Sequence, residues 1–189
     1  QLLEFMTGRY IALQRTEIAD NLVYWSARLL QDDLGQCAAA LELYEVLIVN
    51  FHPSGFVDDS VWRSGLCYRS LGDTDAEYGL LAAFVDAREV SWIMADYESV
   101  FYKPSLFRMA EIHEERGELR LAIGVLERFQ RMYPLSLQRD DTQYHVMELQ
   151  MELGDLDGMR RSLAWIEREY PDSRFIRRGS ELLAGAESQ

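Results

Sequence analysis

LFRMAEIHEERGELRLAIGVLERFQRMYPLS, residues 106–136, reads as helix, tight turn at Gly117, helix, and a Tyr-Pro-x-Ser stop. Leu106, Met109, Ala110 and His113 form one helical stripe, and Ala122, Leu126 and Phe129 form a second. The two stripes face each other across the turn. Neither helix buries its stripe alone, so the unit needs neighbours of the same kind.

The neighbours emerge when the chain is aligned on its turn glycines. Gly35, Gly72, Gly117 and Gly154 are spaced by 37, 45 and 37 residues. Five residues past each stand Ala40, Glu77, Ala122 and Met159; nine past stand Tyr44, Leu81, Leu126 and Leu163. Seven before stand Arg28, Gly65, Ala110 and Met147. Pro53, Pro134 and Pro171 close three of the four units. This pattern resembles the tetratricopeptide repeat: small residues where helices cross, an aromatic or leucine seam, and a closing proline. Arg28, Glu77, Met147 and Met159 depart from it, standing where a small residue is usual. The resemblance implies an all-α fold, a right-handed α-solenoid of about four helix pairs near 20–55, 58–103, 104–137 and 140–173. Flanking helices are expected at 1–15 and 174–185. The whole chain then forms one superhelical domain.

Composition narrows the function class. The chain carries 32 acidic against 19 Lys and Arg residues, a net charge of −13. A nucleic-acid binder needs a basic footprint, and none is visible. No apolar run approaches the roughly 18–20 residues of a membrane-spanning helix. Residue 1 is not methionine, and the chain begins inside a helical pattern, so a leader or anchor upstream stays open. Cys37 and Cys67 do not make a disulfide framework. They read as two buried free thiols, although a bridge between their packed helices is geometrically open.

Asp20 is expected to cap the helix before Gly35, Asp58 or Asp59 the next one, and Asp73 or Thr74 the helix after Gly72. Pro104 is expected to open the first helix of the third unit, and Ser173 to cap the terminal helix, with residues 184–189 frayed. The surplus in the 45-residue interval falls in REVSWIMADYESVFYKP, residues 88–104. Tyr97 and Phe101 share a helical face with Ile93, and Trp92 lies off it. Two readings stand: an extra turn tucked under the stack, or a partner-binding insertion at Trp92, Tyr97 and Phe101.

No catalytic constellation is present in the sequence. His113-Glu114-Glu115 lacks the second histidine of a zinc protease motif, and no phosphate loop or nucleophile elbow occurs. No enzyme, cofactor or metal site is expected. The resemblance draws attention instead to the groove lined by the first helices. Ten residues before each turn glycine stand Trp25, Trp62, Phe107 and Tyr144. They pack on neighbouring helices or anchor a ligand. Glu111, Glu148 and Glu152 make the later units acidic, and Arg63 offsets this earlier in the chain. Chaperone-binding relatives hold a terminal carboxylate with lysine and asparagine, which Leu29, Leu66, Glu111 and Glu148 do not supply. The expected partner is therefore a protein segment carrying Arg or Lys. The Tyr-Pro-x-Ser endings at the 37-residue spacing resemble repeats of bacterial envelope proteins, such as outer-membrane assembly lipoproteins and Tol-Pal coordinators. They imply a non-catalytic scaffold of the cell envelope or periplasm. A cytoplasmic adaptor or secretion chaperone, and an architectural segment of a longer chain, are the alternatives.

Overall fold

The structure is a computed structural model that describes residues 18–51, 54–88 and 98–188. Among the described residues there are nine α-helices and no strands: α1 (Ala19–Arg28), α2 (Cys37–Asn50), α3 (Val57–Leu71), α4 (Thr74–Asp86), α5 (Tyr102–Glu115), α6 (Leu119–Met132), α7 (Arg139–Glu152), α8 (Leu156–Glu169) and α9 (Phe175–Glu187). The chain divides into two compact units, residues 1–105 and 106–189.

The turn glycines explain the pairing. Gly72, Gly117 and Gly154 have φ of 75°, 71° and 68°, a left-handed conformation that a side chain strains. At each of them the glycine N–H donates to the carbonyl three residues back. The next N–H donates to the carbonyl five back, as in Glu118 to His113 at 2.8 Å. That closes the orphan carbonyls of the first helix and reverses the chain within two residues. The Gly35 turn differs. α1 continues as a π-helix, Leu29–Asp33, and Gln36 reaches back six residues to Leu30 at 2.7 Å.

In the first unit, Val23, Tyr24, Ala27, Leu30, Leu43, Tyr44, Leu47 and Cys67 make a core between α1, α2 and α3. Tyr24 stacks on Phe56 at 4.4 Å. Gly65 lies close enough to α4 that a Cβ there would sit 3.4 Å from Leu81. Glu77, where a small residue is usual, is buried and paired with Arg69 at 2.8 Å.

In the second unit, Leu106, Ala110, Ala122, Leu126 and Phe129 are buried. Met147 and Met159, also where small residues are usual, are buried too. The space that Met147 needs comes from α9: a Cβ on Gly179 would meet Leu163 at 3.0 Å and Met147 at 3.2 Å. A polar chain crosses three helices. Gln130 of α6 donates to Gln143 of α7, Gln143 donates to Ser162 of α8, and Ser162 donates back to Gln150 of α7, each at 2.8 Å.

Several expected helix ends shift. α1 is capped at Ile18, and Asp20 lies in its first turn, accepting from Asn21 and Ser54. Asp58 and Asp59 likewise stand in the first turn of α3, after its N-cap Phe56, where a carboxylate meets the positive helix end without capping it. Asp73 does cap α4, accepting from Ala76 at 3.0 Å. Pro104 is the third residue of α5, where its missing N–H still costs nothing. The N-cap of α9 is Arg174. The Ser173 hydroxyl accepts from Phe175 and donates to Asp140. Helix α9 runs on to Glu187, so residues 184–187 are helical. Cys37 is half-buried and Cys67 buried, both as free thiols. The expected helix at 1–15, Trp92 and Tyr97 lie outside the described residues.

Candidate functional site

In the second unit, α5 and α7 present their exposed faces as two walls of an open groove. Its volume is about 390 Å³, and Phe107, Gln138, Asp141, Thr142, His145 and Glu148 line it. On α7 the lining residues recur at three- and four-residue intervals, so they form one helical face. Phe107 is half-buried, with its ring 4.7 Å from Phe129 beneath. That contact holds the ring from below while leaving part of it to the groove. His145 Nε2 lies 3.2 Å from Glu114 Oε2, tying α7 to α5.

The carboxylates around the groove are not equivalent. Arg108 is almost fully buried and pairs with Glu115 at 2.6 Å and Glu111 at 3.2 Å. Glu111 is therefore partly offset from its own helix, by an arginine that it shares with Glu115. Glu148 and Asp141 stand on the groove wall itself, and Glu152 is exposed one turn beyond Glu148. Tyr144 corrects a sequence expectation. It is 9% exposed, its ring stacks on Phe175 of α9 at 5.1 Å, and Arg178 lies over it at 5.4 Å. Burial first, then the charge of Glu148, push its phenol up. It is packed under the terminal helix and is not open as an anchor.

The first unit has its own face. Trp25 is 54% exposed, with the Arg28 guanidinium 5.1 Å above its ring. Trp25, Arg28, Leu29, Asp32 and Asp33 surround a smaller hollow of about 230 Å³. Behind it Arg63 donates to Asp32 at 3.0 Å and to Gln31 at 3.1 Å, and the Tyr44 hydroxyl donates to Gln31 at 2.7 Å. Arg63 is thus a strut between α1 and α3. Trp62 is half-buried and stacks on Phe101 at 5.6 Å. Within the 88–104 segment, Phe101 thus has a described ring contact, and so does Tyr102, 4.7 Å from Phe84.

Of the residues singled out from the sequence, Phe107 and Glu148 line this groove; Gln138, Asp141, Thr142 and His145 line it as well and were not among them. The signal was their spacing along α7, which polar residues on any solvated helix also show. Among the described residues no group of three His, Cys, Asp or Glu is placed to hold a metal. No described helix is long and apolar enough to cross a membrane.

Residues 105–136 match the tetratricopeptide repeat family profile. No curated protein matches the chain. Similar solved structures place the whole fold. One is a tetratricopeptide repeat protein from Parabacteroides merdae, 13% identical, with a TM-score of 0.63 over 89% of this chain and 60% of that one. A second is PilW, described as a widely conserved type IV pilus biogenesis factor, 14% identical, with a TM-score of 0.54 over 88% of this chain and 69% of that one. A third is a Podosopora anserina putative kinesin light chain with nearly identical TPR-like repeats, 16% identical, with a TM-score of 0.51 over 87% and 83%. The chain spans about three fifths of the Parabacteroides protein it resembles. The fold class is the all-α solenoid of tetratricopeptide proteins.

Proposed function

We propose that this chain is a non-catalytic protein-binding scaffold, and that the groove between α5 and α7 holds an extended or helical segment of a partner. The observation that carries the reading is a half-exposed aromatic, Phe107, fixed from below by Phe129, beside the wall carboxylates Glu148 and Asp141. Large aromatics give contact area at little ordering cost and often dominate binding energy. The carboxylates favour a segment carrying Arg or Lys. Glu152 extends that preference along α7, and Glu111 contributes less because Arg108, shared with Glu115, partly offsets it. Trp25 and Trp62 are secondary contacts on the first unit, with Phe101 stacked on Trp62.

The setting we favour is the bacterial envelope or periplasm. The Tyr-Pro-x-Ser endings support it, and so does the likeness to PilW, a pilus biogenesis factor.

The test uses the natural partner, recovered by crosslinking from the source cell. Phe107→Ala should leave association nearly unchanged and speed dissociation, weakening binding by about 2 kcal/mol. Glu148→Lys should instead lower the association rate. Equal binding by both variants and the parent would remove the groove as the site.

A further inference from the structure

The two cysteines of the first unit belong to different helices and meet. Cys37 is the first residue of α2, and Cys67 lies on α3. Cys67 is fully buried in the core that α1, α2 and α3 share, and Cys37 packs against that core from its half-exposed edge. Ser70 marks how close the two positions lie. Its hydroxyl is 2.9 Å from the Cys67 carbonyl oxygen and 3.1 Å from Cys37 Sγ. Burial first, then a hydrogen bond to the Cys37 sulfur, push the Cys67 thiol up.

We propose that Cys37 and Cys67 are a redox site, closing reversibly into a disulfide that ties α2 to α3. The inference is independent of the groove. The unequal exposure assigns the two roles. A small-molecule or protein disulfide is the oxidant. Cys37, the sulfur that solvent reaches, loses its proton and attacks one sulfur of the external disulfide. A mixed disulfide forms at Cys37 and one thiol leaves. The buried Cys67 then gives up its proton and attacks the Cys37 sulfur, expelling the second thiol. Two protein thiols are oxidised, and one external disulfide is reduced to two thiols. Cys67 is shielded from the external disulfide itself, so the mixed species forms at one end only.

The closed loop joins helices of successive pairs and restricts the unfolded chain more than the folded one.

The experiment treats the whole chain with glutathione disulfide, quenches with acid, and reads intact mass and thiol count under denaturing conditions. The expected product is a monomer that has lost two hydrogens, with no free thiol and no glutathione attached. Its melting midpoint should rise by about 5–10 °C and return to the parent value on reduction. Cys67→Ala should carry one glutathione, at Cys37. Cys37→Ala should stay unmodified while folded. A parent that keeps two free thiols under conditions that fully modify Cys67→Ala would overturn the proposal. So would a parent that holds glutathione stably or forms only Cys37-linked dimers. The parent measurement stands even if a variant folds poorly.

Discussion

Asp32 shows how single residues of this chain serve the fold at the rim of the first unit's hollow. It stands in the π-helical turn after α1 and accepts from Arg28 and Arg63. Burial alone would raise its carboxyl, and the two arginines outweigh that and hold it below its ordinary value of 3.8. A depressed carboxylate contributes stability that is present above the unfolded value and lost as pH falls through the folded one. Asp32→Asn should therefore lower the melting midpoint at neutral pH, and the gap should close as pH drops below 3.8. The pair is half-exposed, so the effect should stay near 1 kcal/mol or less. Ala122 is a stricter case. It is fully buried in α6, and Ala122→Arg should cost about 1–3 kcal/mol from overpacking alone. That corresponds to roughly 2–4 °C of midpoint per kcal/mol at this size. A melt within about a degree of the parent would contradict the packing described.

At the scale of elements, helix α9 is what the second unit depends on for closure. Phe175 covers Tyr144, and Gly179 makes room for Met147. Phe175→Ala should destabilise by about 3–5 kcal/mol and raise the solvent exposure of Tyr144, visible as faster hydrogen exchange in α7. The helix pairs were legible in the sequence because a left-handed turn leaves a glycine at a fixed register. The helix starts were less so. An aspartate in the first turn and an aspartate at the N-cap meet the same positive helix end, so Asp20, Asp58 and Asp59 could not be told from caps by residue type. Tyr144 was misjudged for another reason. Its cover, Phe175, is 31 residues away, and nothing local announces that stack. The groove was half legible: an aromatic at a repeated position shows itself, and four polar residues along α7 do not.

At the scale of the molecule, charge sets what the scaffold attracts. A net charge of −13 draws cationic segments from a distance and repels acidic ones. Association with the partner should slow as salt rises, because the Debye length is already about 8 Å at physiological ionic strength. Glu148→Lys should flatten that dependence, whereas Phe107→Ala should leave its slope unchanged and act on dissociation. The two variants thus separate steering from anchoring on one site. The most direct measurement is a site-resolved crosslink to the bound partner. A photoreactive residue is placed at Gln138, which lines the groove, or at Leu121, exposed on α6. Binding in the groove predicts a crosslink from position 138 and none from position 121. A crosslink from position 121 alone would contradict it.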